Sequence, residues 1–219
     1  MYITLYLSKE VKPGKVNFNI EKLLKMARSF KLTHLPLFNG VQFIGNIAVE
    51  DLEELLNQPN NEDELKDYAE PFYLLEEQTI FDAIQMMYLN QTNVVPILTK
   101  EFNYVGVVTE QSITEALAKC TFVAEHAVSM AVSIATKDLS MSTISNIIES
   151  NNGKIYGIFV INQSEDRSEV LIRFNAPSLV GIGETFERYG FTVIHKFYND
   201  EKQELLHARY AQLLKYMNT

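Results

Sequence analysis

Lys25-Met26-Ala27-Arg28-Ser29-Phe30-Lys31-Leu32-Thr33-His34-Leu35-Pro36 aligns without a gap on Gln85-Met86-Met87-Tyr88-Leu89-Asn90-Gln91-Thr92-Asn93-Val94-Val95-Pro96. Each stretch runs into an apolar–turn–apolar segment and then a glycine with a short polar motif. The motif is Gly45-Asn46-Ile47-Ala48-Val49-Glu50-Asp51 in the first copy and Gly106-Val107-Val108-Thr109-Glu110-Gln111-Ser112 in the second. A repeat of about 60 residues is long for a solenoid and suits a duplicated small α/β unit. Paired units of this kind pack on each other and can enclose a ligand between them.

Working outward through the first copy, Ile20, Leu23, Leu24, Ala27 and Phe30 recur at helical spacing behind Asn19, an N-cap residue type. Leu35–Phe38 reads as a strand with Pro36 near its start, Asn39-Gly40 as a two-residue hairpin turn into a strand over 41–44, and Val49–Leu56 as a helix. The second copy repeats the order. Thr79 caps a helix carrying Ile80, Ala83, Ile84, Met87 and Tyr88; Val94–Thr99 and Tyr104–Val108 are strands; Ser112–Lys119 is the closing helix. Between the copies, Asn57–Glu70 is polar and acidic and reads as a linker or solvated helix.

After about residue 121 the pattern changes. Strands are expected over 126–135, 155–162, 169–175 and 191–197, with helices over 140–151 and 177–189, the last closed by Gly190. The order βαββαβ is that of the ferredoxin-like arrangement, with two helices on one face of an antiparallel sheet. A final amphipathic helix is expected over Glu201–Met217, with Leu205, Leu206, Leu213 and Leu214 on its apolar face.

Composition narrows the function classes. The 219 residues carry a net charge of -9 with no Lys/Arg cluster, which argues against nucleic acid or anionic lipid as a partner. No apolar run reaches the ~18 residues of a membrane helix. The first residues lack a positive leader, and Cys120 is the single cysteine. Together these give the expectation of a cytoplasmic protein. His34, His126, His195 and His207 are dispersed, with no metal-binding spacing, P-loop or nucleophile elbow around them. Arg173 and Asn175 on a βαββαβ strand are similar to a small-phosphatase pair, but the loop that would cradle phosphate lacks glycines. No enzyme activity and no required cofactor are expected.

The two copies resemble cystathionine-β-synthase (CBS) domains, which occur in tandem as a Bateman module. The resemblance rests on the strand starts Leu35-Pro36-Leu37 and Val95-Pro96-Ile97 and on the glycine-led motifs, and covers roughly residues 7–119. The βαββαβ segment resembles an ACT-type domain, and the combination is similar to acetoin-utilisation-type CBS proteins. The expected fold is therefore α/β (α+β): CBS-like domains over 1–60 and 61–120, an ACT-like domain over 121–198, and a C-terminal helix over 199–219.

The resemblance implies a regulatory protein whose CBS pair binds an adenosyl ligand (AMP, ADP, ATP or S-adenosylmethionine) and modulates a partner, the chain itself being a homodimer. In the family, the carboxylate ending the motif accepts hydrogen bonds from both ribose hydroxyls. The hydroxyl three residues earlier serves phosphate, and the segment before the proline meets the adenine. Carried over residue by residue, these roles fall on Asp51, Thr109, Ser112, His34, Leu35, Pro36, Val95 and Pro96. Neither motif is complete: Ala48 stands at the hydroxyl position of the first and Ser112 at the carboxylate position of the second. The alternative reading is a dimeric scaffold in which Asp51 caps a helix from Leu52, Thr109 is a cap and His34 is a solvated histidine beside a strand. A third reading, amino-acid sensing by the ACT-like domain, is weakened by Met141 and Thr143 where the family has glycine and leucine; Asp138 and Ser140 are read as helix caps.

Overall fold

The computed structural model describes residues 1–57 and 64–197. The chain divides into two compact units, Met1–Lys119 and the part from Cys120 onward. The helix expected over Glu201–Met217 lies outside the described residues.

In the first unit each copy folds as strand, helix, strand, strand, helix. The first comprises β1 (Gly14–Lys15), α1 (Ile20–Ser29), β2 (His34–Asn39), β3 (Gln42–Ala48) and α2 (Val49–Leu56). The second comprises β4 (Leu74–Leu75), α3 (Ile80–Leu89), β5 (Val94–Leu98), β6 (Tyr104–Thr109) and α4 (Glu110–Ala118). Both sheets have the same order, β1-β2-β3 and β4-β5-β6, the first pair parallel and the second antiparallel. Even the irregularity repeats, with register shifts at Leu37/Phe38 and Ile97/Leu98.

The turns differ by one residue. Asn39 pairs with Gln42, so the two-residue loop is Gly40-Val41 rather than Asn39-Gly40; Gly40 takes φ +62, the conformation such a hairpin needs at its first central position. In the second copy Thr99 bonds Asn103 across a three-residue loop. That insertion explains why the motif glycines are offset by one more residue than the prolines.

Helix boundaries follow the capping chemistry. Asn19 accepts from the Lys22 N–H, and Thr79 with Asp82 forms a reciprocal capping box. Phe30, expected in the core, is the C-cap of α1 and is exposed; Ile84 and Tyr88 of α3 are exposed as well. The cores are two clusters, one around Leu23, Leu35, Leu37, Ile47, Leu52 and Leu55, the other around Ala83, Val95, Ile97, Val108 and Ile113.

The polar stretch 57–70 is not only a linker. Leu65, in a short 3₁₀ turn over Glu64–Lys66, is fully buried in the first core. Further along, Glu70 exchanges both backbone hydrogen bonds with Asn46 on β3 (2.8 Å each). The N-terminal segment does the reverse: Ile3 is buried in the second core, and Ser8 exchanges backbone bonds with Val107 on β6 (2.8 and 3.1 Å). Each copy therefore lends its leading arm to the other copy's sheet, and packing does not break at 60/61. The motif glycines make room for these arms. A Cβ on Gly45 would lie 2.9 Å from the Glu70 carbonyl, and one on Gly106 3.0 Å from that of Ser8.

The second unit comprises α5 (Thr121–Ala124), β7 (Val128–Ala135), α6 (Met141–Ser150), β8 (Lys154–Gln163), β9 (Arg167–Asn175), α7 (Leu179–Arg188) and β10 (Thr192–Phe197). Its antiparallel sheet has the order β10-β7-β9-β8, the ferredoxin-like order, with α6 and α7 sharing one core with Met130, Val132, Val170, Ile172 and Phe174.

Candidate functional site

The two copies meet across equivalent positions of the repeat, Thr33 and Asn93. The Thr33 N–H donates to Asn93 Oδ1 (2.9 Å), the Asn93 N–H donates to Thr33 Oγ1 (3.0 Å), and Asn93 Nδ2 donates to the Lys31 carbonyl (2.8 Å). The carbonyls of the same two residues accept the first N–H of the helix that follows in their own copy, from Val49 (2.8 Å) and from Glu110 (2.9 Å). A pseudo-twofold axis therefore runs between Thr33 and Asn93. Lys31 (φ +53) and Gln91 (φ +48) obey it as well. Each takes the left-handed conformation that ends α1 or α3, with the paired carbonyl bonds of a Schellman motif, Leu32 N–H to Ala27 and Thr92 N–H to Met87.

Two clefts flank this axis. The first, about 670 Å³, is lined by Thr33, His34, Glu50, Asp51 and Glu70 together with Gln91 from the other copy. The second, about 650 Å³, is lined by Asn93, Thr109, Ser112 and Glu115 together with Lys31 and Glu10. The incomplete motifs thus occupy equivalent places, but their chemistry differs. Thr109 is the N-cap of α4: its hydroxyl accepts from the Ser112 N–H (3.2 Å), while Ser112 Oγ accepts from the Thr109 N–H (3.1 Å) and donates to the Thr109 carbonyl (2.8 Å). Both side chains are committed to each other. In the first copy the N-cap of α2 is Ala48, which has nothing to cap with. Asp51 is the third residue of that helix, not a cap preceding Leu52, and has no hydrogen-bond partner among the described residues. Its carboxylate is left to the cleft.

His34, read from sequence as solvated, is 7% exposed. It packs edge-on against Phe72 (centroids 5.6 Å apart), with Nδ1 3.0 Å from Thr33 Oγ1 and Nε2 3.9 Å from the Glu70 carboxylate. Burial holds its pKa below the usual histidine value of 6.5, outweighing the opposing pull of Glu70, Asp51 and Glu50. Leu35, Pro36, Val95 and Pro96 are buried in their strands, and their side chains line neither cleft. Glu70, Gln91 and the Thr33–Asn93 pair were missed in the sequence. The usable signal was two polar residues at matching positions just before two buried strands.

Elsewhere, no His/Cys/Asp/Glu group among the described residues could hold a metal ion, and no helix there is long and apolar enough to cross a membrane. A cavity of about 960 Å³ lies between α3 and α4, lined by apolar residues including Ile84, Tyr88, Leu89 and Ile113 and by polar ones including Gln91, Thr92 and Thr114. In the second unit Ser140 caps α6 through the Thr143 N–H (3.2 Å), whereas Asp138 lies in the preceding 3₁₀ turn and caps nothing. Arg173 donates from Nη1 to Ser129 Oγ across the sheet (3.1 Å).

A family model described as CBS domain matches residues 65–119, the second copy of the repeat. The first copy repeats the element order and register of the matched segment. No curated protein matches the chain. Among solved structures, the chain is similar to a CBS domain pair/ACT domain protein from Thermotoga maritima (18% identity, covering 54% of this chain and 98% of that one, TM-score 0.45). It is also similar to the CBS domains of a transcriptional regulator from Streptococcus pneumoniae (16% identity, 52% and 98% covered, TM-score 0.45). A third is a CBS domain pair in complex with 5′-methylthioadenosine and S-adenosyl-L-methionine (20% identity, 53% and 99% covered, TM-score 0.44).

Proposed function

We propose that this chain is a non-catalytic, cytoplasmic regulatory protein whose CBS pair binds an adenosyl ligand in the Asp51 cleft and modulates a partner protein. The observation that carries the reading is the free Asp51 carboxylate. It stands at the motif position that serves a ribose diol, faces a cleft of about 670 Å³, and makes no hydrogen bond to the described residues. A carboxylate accepting two hydroxyls makes a bidentate, charge-assisted pair. The equivalent Ser112 is bound into a capping box, so the reading assigns one working cleft rather than two. A ligand spanning Asp51 in one copy and Gln91 in the other would bias the arrangement of the two copies, as a regulatory ligand must. The βαββαβ unit, with its ferredoxin-like strand order, is read as the ACT-type domain that completes such a regulator.

The test is dye-monitored melting and calorimetry of the full chain with adenosine, AMP, ADP, ATP and S-adenosylmethionine. A ligand at ~100 times its dissociation constant adds ~2.7 kcal/mol of stability. Asp51→Asn should remove most of that gain, and no shift with any of the five at millimolar concentration would overturn the reading.

A second reading is favoured by one observation, the apolar face of α3. Phe81, Ile84, Tyr88 and Leu89 are exposed there, where the equivalent positions of α1 hold Glu21, Leu24, Arg28 and Ser29. Such a face fits an interface between two copies of the chain, and the homodimer is part of the proposal. Tyr88→Lys should shift the chain toward monomer in light scattering; an unchanged mass removes α3 from the interface.

A further inference from the structure

His34 and the carboxylates beside it set the chemistry of the Asp51 cleft. Thr92 Oγ1 donates to the Val94 carbonyl (2.9 Å), so it cannot also donate to Thr33. The single Thr33 hydroxyl hydrogen has Asn93 Oδ1 (3.1 Å), Thr92 Oγ1 (3.2 Å) and His34 Nδ1 (3.0 Å) within reach, which ties the ring to the joint between the two copies. Nε2 makes no hydrogen bond; its nearest carboxylate, Glu70, is 3.9 Å away. The ring is more than nine-tenths buried and lines the cleft.

The charged side chains around Nε2 are Glu50, Asp51 and Glu70, and no lysine or arginine lines the cleft among the described residues. The start of α2, whose first N–H already bonds the Thr33 carbonyl, is its fixed positive end. A helix terminus amounts to roughly half a positive charge, against three carboxylates at the same place. The second cleft is built differently, since it contains Lys31.

We infer that the Asp51 cleft selects an adenosyl compound without phosphate, either an uncharged nucleoside or a cationic sulfonium, and that Glu70, beside the buried His34, is its specificity determinant. This rests on the proposed function and narrows it. Ribose hydroxyls, an exocyclic amine or an ammonium bring the donors that an acceptor-lined cleft lacks. A phosphate brings two further negative charges and only acceptors. With partly exposed carboxylates at several ångströms and physiological salt, that repulsion is worth on the order of tenfold in affinity.

The experiment is calorimetric titration of the full chain at pH 7.5 with adenosine, S-adenosylmethionine and AMP, on the parent, Asp51→Asn and Glu70→Lys. The Glu70 side chain is half-exposed, so the charge reversal should be tolerated by the fold. The expected result is that adenosine and the sulfonium bind at least about tenfold more tightly than AMP, that D51N weakens all, and that E70K brings AMP level with adenosine or above it. Asp51-dependent binding in which AMP equals or exceeds adenosine on the parent chain would overturn this inference and leave the proposed function standing. An unchanged AMP-to-adenosine ratio in E70K would do the same. No binding by any of the three would overturn both.

Discussion

Replacing Asn93 by alanine tests the joint between the two copies. Its amide accepts the Thr33 N–H and hydroxyl and donates to the Lys31 carbonyl, at 2.9, 3.1 and 2.8 Å. Each such bond contributes about 0.5–1.5 kcal/mol net, and leaving a donor unpaired adds to the loss. Thr33 is solvent-exposed, so water will satisfy part of what is lost. The expected cost is about 2 kcal/mol, or roughly 5–10 °C in the melting midpoint of the first unit. Urea unfolding followed by circular dichroism gives the free energy. Thr33→Ala and the double variant close a mutant cycle. Because both residues use the same bonds, the double variant should cost about 1 kcal/mol less than the sum. A cost for N93A below about 0.5 kcal/mol, or strict additivity, would refute the claim that these residues join the copies.

The buried neutral His34 makes stability pH-dependent. Its folded pKa lies below the unfolded value of 6.5, so the unfolded chain takes up the proton first, and stability present above that value is lost as pH falls toward the folded pKa. Melting from about pH 7.5 to about pH 5.5 should show the midpoint falling, and His34→Gln should flatten that window, whose lower edge stays above most carboxylate titration. An identical profile in H34Q would place the effect elsewhere. Leu65→Ala should cost about 2–5 kcal/mol as a fully buried leucine. Since Leu65 packs in the first core, hydrogen exchange should show α1 and α2 losing protection before α3 and α4; the reverse order would contradict the exchanged arm.

Much of the fold was readable because the repeat doubles the signal. Val49–Leu56, for example, was expected with its observed bounds, since Gly45 and Asp51 could be aligned on Gly106 and Ser112. The ferredoxin-like order was readable from alternation and turn chemistry. Sequence could not give the destination of the arms. Leu65 in a polar run and Ile3 near the start are single apolar residues without periodicity, and only tertiary packing shows which core takes each. The site was half legible. Asp51 and Thr109 were singled out, but whether either is free depends on the caps, and a cap is a matter of which residue precedes the helix. His34 was misjudged because a short polar-to-apolar junction looks solvated until Phe72, 38 positions further on, closes over it.

The exchange of arms also says what a single copy could not do. Alone, it would have an arm with no sheet to lie on and a strand edge with nothing covering it. Two identical copies related by a twofold axis cure both faults at once, each covering the other. In such an assembly the residue at position 33 faces its own symmetry mate and must be complementary to itself. Joining the halves in one polypeptide removes that demand. Threonine can then face asparagine, and a lone carboxylate on one side can face a closed cap on the other. The asymmetry of the two clefts is a freedom that only a covalently linked pair possesses.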